Sequence, residues 1–319
     1  MINKIIKDKK AMEFSFAWIF SIIVGAVILF LAIYTATRFI STSEYQINTQ
    51  TAKSFLNIMN PLQTSLESGK ANSIELQEAT RIYTNCNNQG TFGNSVVSFS
   101  EKFGLKDEWS KPGGALSEKT AYLFAEDVVE GKKIYFIINP VKMPFKTADA
   151  ISMYSETYCF ANPPDSIEEE LSAIGNSANI IISDSLSDCP EKSRRVCFNS
   201  NCNISVICSD NSCTNGAVKK GSSTLNFAGG LLYPAVFSSE KNYECNLKRI
   251  MARLSLLSEV YSEKASFISV RGCNTALQPD MEILSSSAKE YISSKDLASI
   301  SILAQLAEQK NKELSCKLF

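Results

Sequence analysis

The chain has 319 residues, 45% of them hydrophobic and 20% charged, and its 32 Lys and Arg against 33 Asp and Glu leave a net charge of -1. This composition supports a buried core and excludes a disordered chain, and the balanced charge lacks the basic footprint of a nucleic-acid binder. Histidine is absent, which removes Ser-His-Asp and Cys-His catalysis, His-containing zinc sites, histidine-bound haem and an imidazole pH switch.

Residues 1–13 form a basic stub, with Lys4, Lys7, Lys9 and Lys10 opposed by Asp8 and Glu13. Residues 14–37, FSFAWIFSIIVGAVILFLAIYTAT, run for 24 positions without a charge. At about 1.5 Å per residue a helix of that length spans roughly 36 Å, enough to cross a hydrocarbon core of about 30 Å. In lipid the backbone must satisfy its own hydrogen bonds, so the segment is expected to be a transmembrane helix. After it Arg38 stands alone until Lys53, an asymmetry that predicts a cytoplasmic N-terminus and an extracytoplasmic C-terminal domain. A cleaved signal is the competing reading. Its apolar core would run only roughly 7–15 residues, and Tyr34-Thr35-Ala36-Thr37-Arg38 is a poor cleavage site. The expected localisation is the cell membrane, as a single-pass signal-anchor with the lipid bilayer as partner and no nucleic acid.

Residues 38–70 read as a helical stalk, with Ile47, Phe55, Leu56, Ile58, Met59, Leu62 and Leu66 as a loose apolar stripe and Asn60-Pro61 expected to kink or end it. Residues 71–319 read as the extracytoplasmic domain. Ser73 with Glu75 and Gln77 predicts a short helix over 73–83, and 117–130 also reads as helical. Strands are predicted at 96–99, at 134–138 (stopped by Asn139-Pro140), at 157–160 and at 179–182, with Lys111-Pro112-Gly113-Gly114 a turn. Asp165 and Glu168 have capping-box spacing and predict a helix to about residue 174.

All ten cysteines, Cys86, Cys159, Cys189, Cys197, Cys202, Cys208, Cys213, Cys245, Cys273 and Cys316, follow the apolar segment. An even number on an oxidising side predicts at least four disulfides. Local closure is expected within 189–213, where Cys197-FNSN-Cys202 and Cys208-SDNS-Cys213 each enclose turn-forming residues. Cys245, Cys273 and Cys316 are expected to pin the C-terminal helices among themselves. Thiolate zinc and redox chemistry are the alternatives, and the redox option lacks a Cys-x-x-Cys. Residues 189–237 read as cysteine-rich strands and 243–316 as helices. The helix over 243–267 carries Leu247, Ile250, Met251, Leu254, Leu257, Val260 and Tyr261 inward and Lys248, Arg249, Arg253 and Glu259 outward.

No catalytic, cofactor or metal constellation emerges. Lys192 and Ser193 are adjacent loop residues without a supporting motif, Asp184 and Asp188 lie in a Ser-rich loop after a strand, and 168–170 is a solvated acidic run. Asn203-Ile204-Ser205 is an N-glycosylation acceptor, set against the reading of a strand residue. Glu13 borders the apolar run, either as a hydrated carboxylate tolerated at the membrane edge or as a subunit contact. Gly25-Ala26 makes no Gly-x-x-x-Gly dimerisation pattern.

The N-terminal stretch KKAMEFSFAWIFSIIVGAVILFLAIY resembles the leader and helix of type IV pilin-like proteins, archaeal ones in particular, and the single-anchor exported proteins of unknown function. The resemblance implies a leader ending near Lys9-Lys10-Ala11 and a Glu13 that pairs with a neighbouring subunit's N-terminal amine in a filament. The expected fold class is α+β, a long N-terminal transmembrane helix followed by a disulfide-stabilised mixed ectodomain with a helical C-terminal part. The expected function is that of a membrane-anchored extracytoplasmic structural or interaction protein of the cell envelope, with envelope or self partners and pilin-like assembly as one version. The alternative is a membrane-tethered hydrolase using Ser/Lys or carboxylates.

Overall fold

The apolar run is part of a helix far longer than itself. The structure, a computed structural model, describes residues 16–65, 71–103, 108–175, 178–273 and 275–319; the basic stub and Glu13 lie outside these. Helix α1, Phe16–Ser65, is 50 residues long, about 75 Å at the usual rise, and its backbone continues a turn past Asn60-Pro61. The residues from Phe16 to Ile40 are exposed, whereas Asn48, Ala52 and Phe55 are buried.

The chain then builds a seven-stranded sheet from β1 (Ala71–Asn87), β2 (Asn94–Phe103), β3 (Glu108–Trp109), β4 (Leu116–Glu118), β5 (Tyr122–Phe124), β6 (Val128–Lys142) and β7 (Lys146–Tyr154), in the order β3-β2-β1-β6-β7-β5 with β4 also paired to β2. Two helices predicted from sequence are strands here. The Glu- and Gln-rich 73–83 stretch lies in β1, where Thr80, Ile82 and Thr84 alternate inward, and cross-strand packing outweighs local helix propensity. The 117–130 stretch divides among β4, β5 and the start of β6. Its run Ala121 to Ala125 is buried throughout, and a fully buried strand has no period to distinguish it from a buried helix. Within β5, Tyr122 and Phe124 enter the main core, while Leu123 joins Ala52, Phe55, Val97, Phe99 and Phe136 in a second core on the α1 face.

The 134–138 strand does not stop at Asn139-Pro140. Strand β6 pairs with β7 through Pro140 opposite Asp149 and Val141 opposite Ala148. Among the described residues, pairing with β1 reaches Ile137 opposite Ala71, so at Pro140 the described neighbour strand of β6 is β7 alone, a position where a strand tolerates the proline's missing N–H.

A six-stranded sheet follows, in the order β13-β12-β11-β10-β8-β9, from β8 (Tyr158–Ala161), β9 (Ile180–Ser183), β10 (Arg194–Phe198), β11 (Ile204–Cys208), β12 (Asn215–Lys220) and β13 (Ser223–Ala228). Strands β9, β8, β10 and β11 run parallel, and β11 to β13 form an antiparallel meander. Helix α2, Asp165–Ile174, is present, but the capping box is not. Pro164 is the cap residue and no side chain bonds the helix start, so Asp165 and Glu168 contribute only charge to the first turn.

Helix α3, Leu232–Phe237, is buried along its whole length, and Phe237 stacks on Tyr154 at 4.1 Å and meets Tyr158 edge-on at 4.5 Å. Helices α4 (Glu240–Ser269), α5 (Gln278–Lys289) and α6 (Leu297–Glu313) complete the fold. Arg249 on α4, expected on the outer face, is 1% exposed. It belongs to a row that covers the edge of β5. Asn246 Nδ2 donates to Leu123 O at 2.8 Å, Arg249 Nη1 donates to Ala121 O at 3.0 Å, and Asn242 Oδ1 accepts from Ala125 N at 3.4 Å. Arg249 also donates to Phe92 O and Lys119 O and lies 4.7 Å from the Tyr122 ring centre; burial pulls its pKa below the ordinary arginine value.

All ten cysteines are paired. Cys197–Cys202 and Cys208–Cys213 close the two local loops, and Cys273–Cys316 ties the chain after α4 to the chain end. Cys189 reaches back to Cys159. Cys245, expected to bond within the C-terminal helices, instead joins α4 to Cys86 on β1 across 159 residues, because α4 lies along the first sheet. Loop-closure entropy then separates these bonds. We expect the Cys86→Ser/Cys245→Ser pair to cost about 5 kcal/mol and the Cys197→Ser/Cys202→Ser pair about 2 kcal/mol, measured as the difference in urea midpoint.

Candidate functional site

The junction between α1 and the first sheet is where the two halves of the molecule are joined. In the exposed half, an 18-residue stretch within Phe16–Phe55 has mean hydropathy 2.8 and no buried residue. Its hydroxyls bond their own helix, Ser21 Oγ to Ala17 O at 2.8 Å and Thr35 Oγ1 to Leu31 O at 2.8 Å, which lets polar side chains sit in an apolar medium. Phe16 and Trp18 stand toward one end and Tyr34, with Arg38 6.0 Å from its ring centre, toward the other. Trp18 and Tyr34 are about 24 Å apart along the axis, a spacing suited to aromatic belts at two interfaces.

The second half docks by a polar clamp around an aromatic contact. Asn48 Nδ2 donates to Ser110 Oγ and Lys111 O, both at 2.9 Å, and Asn48 Oδ1 accepts from Glu101 N at 3.2 Å. Thr51 Oγ1 donates to Glu101 Oε1 at 2.7 Å, and Thr49 Oγ1 accepts from Gly114 N at 2.8 Å. Phe55 meets Phe99 at 5.0 Å and Phe136 at 5.6 Å between ring centres. The predicted turn at 111–114 is therefore the seat of the helix. A Cβ on Gly113 would lie 2.7 Å from both Asn48 Cβ and Thr49 N, so only glycine admits the helix this close. We expect Gly113→Ala to cost roughly 1–3 kcal/mol, read from thermal unfolding, and to loosen protease protection of the chain near Asn48.

A second polar cluster went unnoticed in the sequence. Lys220, at the end of β12, donates to Ser238 O at 2.6 Å and lies 3.5 Å from Glu126; Arg194 pairs with Glu156 and lies 3.7 Å from Glu126. A cavity of about 340 Å³ is lined by both cations together with Lys192, Ser193, Glu156 and Asn203. Burial brings the Lys220 pKa down to about 8, against the pull of Glu126, and Arg194 lowers it further. Nothing in a Lys-Lys-Gly turn signals such burial; the second sheet creates it. Ser193 Oγ donates to Pro190 O at 2.7 Å, as a turn residue does.

The other sequence candidates disperse. Asp184 and Asp188 lie in a surface turn where Ser187 Oγ donates to Asp188. Among the described residues no group of three or more His, Cys, Asp or Glu is placed to hold a metal. Asn203 is exposed, at the bend before β11 rather than within it, while the Ser205 hydroxyl is buried and accepts from Cys202 N at 3.3 Å. No known protein family, curated protein or solved structure matches the chain.

Lys220 makes stability depend on pH. Its proton leaves near 8 in the folded chain and near 10.5 in the unfolded one. Between these values the unfolded chain binds more protons, so stability rises with pH there, by up to about 1.4 kcal/mol per pH unit. Urea midpoints at pH 8 and above should show this rise, and Lys220→Met should flatten it.

Proposed function

We propose that this chain is a single-pass membrane protein with a cytoplasmic N-terminus, whose extracytoplasmic α+β domain has a structural or interaction role in the cell envelope. The observation that carries the reading is the continuity of α1: one helix bares an unbroken apolar half and seats its other half in a folded domain. Five disulfides in that domain favour the oxidising side of a membrane. Pilin-like self-assembly is the version of the role that gives such a helix packed neighbours along its whole length.

Protease added to intact cells is expected to remove the domain beyond Arg38 and spare the Lys4 to Lys10 stub; protection of the domain would reverse the orientation. Cross-linking in the native membrane is expected to trap the protein with copies of itself. Loss of that product in a Glu13→Ala variant that stays membrane-bound would assign Glu13 to the subunit contact. Absence of the product from the parent would leave a tethered monomer. A second reading, a tethered Ser/Lys hydrolase, draws on Lys220 and Ser193 lining one cavity; covalent labelling of Ser193 by a fluorophosphonate probe would favour it.

A further inference from the structure

We propose that the free edge of β9 pairs with the same edge of a second copy, antiparallel and centred on Ile181, so that two six-stranded sheets join into one. This assigns self-association to a surface of the folded domain, and it rests on the membrane reading above for the tether that brings two copies together.

Each end of a sheet leaves a row of unpaired backbone groups, which proteins normally cover or disrupt. Helix α4 covers β5. At β13, Asn226 N donates to Ser294 Oγ at 3.2 Å, and Asn226 O accepts from the Tyr243 hydroxyl at 2.7 Å. The other end of the first sheet is made by β3 and β4, only two and three residues long, which carry Glu108 and Glu118. Strand β9 ends the second sheet and has none of these devices. Its run Ile180-Ile181-Ile182-Ser183 holds no charge and no proline.

The hydrogen-bond phase of β9 identifies the free groups. Tyr158 N donates to Asn179 O at 3.2 Å, and Asn162 N donates to Ser183 O at 2.7 Å. Alternate residues of a parallel strand face the same neighbour. Asn179, Ile181 and Ser183 therefore turn to β8, and the N–H and C=O groups of Ile180 and Ile182 point away from it. The Tyr154 hydroxyl donates to Ala178 O, which closes the edge just before Ile180. Among the described residues nothing bonds the outward groups of Ile180 and Ile182.

A second β9 answers them in one register. Set antiparallel about Ile181, Ile180 of one copy faces Ile182 of the other, and each such pair exchanges two backbone bonds. Isoleucine then meets isoleucine on both faces, the β-branched cross-strand contact that sheets favour, and no like charges are opposed. Moving the centre to Ile182 would set Ile181 against Ser183 instead. An edge of four residues is small beside the roughly 1,200–2,000 Å² of a stable soluble complex. The contact therefore needs both copies tethered in one membrane, where their effective concentration is high.

The test uses the full-length protein reconstituted in phosphatidylcholine vesicles and oxidised with copper phenanthroline. All ten native cysteines are paired, so one introduced thiol reports the register. In this pairing the two copies of Ile181 have Cα atoms about 4.5 Å apart. The two copies of Ile180 lie about 7–8 Å apart, beyond disulfide reach of about 7 Å. Ile181→Cys is expected to give a dimer whose digest shows residue 181 linked to itself with the native pairs intact, and Ile180→Cys about fivefold less of its own dimer or lower. Added to Ile181→Cys, Ile182→Pro removes an outward N–H that the single copy does not use, and Ile180→Lys places a charge on the edge. Each is expected to cut the yield about tenfold, whereas Ile182→Val is expected to leave it unchanged. Melting temperatures check that the variants fold, and co-flotation with the vesicles reads the anchor separately from the edge. Protein that fails to float overturns the membrane reading and this proposal with it. Floated protein without the 181–181 link overturns this proposal alone. So does an equal yield from Ile180→Cys, a link that survives both Ile182→Pro and Ile180→Lys in folded protein, or linkage of Ile181→Cys to a different protein in membranes of the source cells.

Discussion

Where α1 crosses the turn at residues 110–114, the two backbones approach so closely that a single added methyl at Gly113 would collide with Asn48 and Thr49. A helix about 75 Å long is held, among the described side chains, by a footing around Asn48 to Phe55, so that footing has to be both tight and directional. Asn48 supplies direction with three hydrogen bonds, and Phe55 supplies apolar area between Phe99 and Phe136. Because the same helix carries the exposed apolar half, the angle at which the domain stands over that half is set at this seat. An exposed apolar surface of that extent is of the kind that lipid or the helices of neighbours cover.

The first sheet can serve as a seat because its other face and its edge are closed by different means. Its outer face contributes Tyr122, Phe124, Ile137 and Tyr154 to the main core. Its last strand, β5, would expose unpaired backbone groups, a liability for any sheet edge. Asn242, Asn246 and Arg249, spaced about a helical turn apart, answer those groups from α4, so a helix does the capping a further strand would do. Ser95 on β2 adds its hydroxyl to Ala121 O at 3.0 Å and accepts from Leu123 N at 3.3 Å, bringing strands distant in the sheet order together. Cys86–Cys245 fastens the same helix to β1. Sulfur and side-chain amides therefore act on one interface.

Helices with a strong 3.6 period were legible in the sequence. The 243–267 stripe became α4, and α5 and α6 lie within the 243–316 stretch expected to be helical. Strands were legible where β-branched and aromatic residues clustered, at 96–99, 157–160 and 179–182. The misreadings share a cause: residues 73–83 have the local preferences of a helix, and 121–125 has no period at all, so in both places only the neighbouring strands decide. Cysteine pairing was legible where the loop was four residues long and illegible for Cys86 with Cys245, because a bond across 159 residues depends on the layering of the whole domain. Arg249 was misplaced for a related reason. An arginine on a helix is ordinarily solvated, and its burial here follows from carbonyl oxygens contributed by loops more than a hundred residues earlier.

Asn139-Pro140 is a different kind of conflict. A polar residue and a proline inside a long buried strand contradict the local pattern, and such contradictions concentrate where a chain serves something other than its own stability. The proline is accommodated because, among the described residues, β6 pairs there with β7 alone. The asparagine is not, since its Oδ1 is buried without a hydrogen-bond partner. Leucine would fit the pattern of Ile137 and Val141 on the same face, and it would leave no polar atom to satisfy. That an amide stands there instead, opposite a pair of glycines and a carboxylate anchored by Tyr233, is difficult to account for by packing.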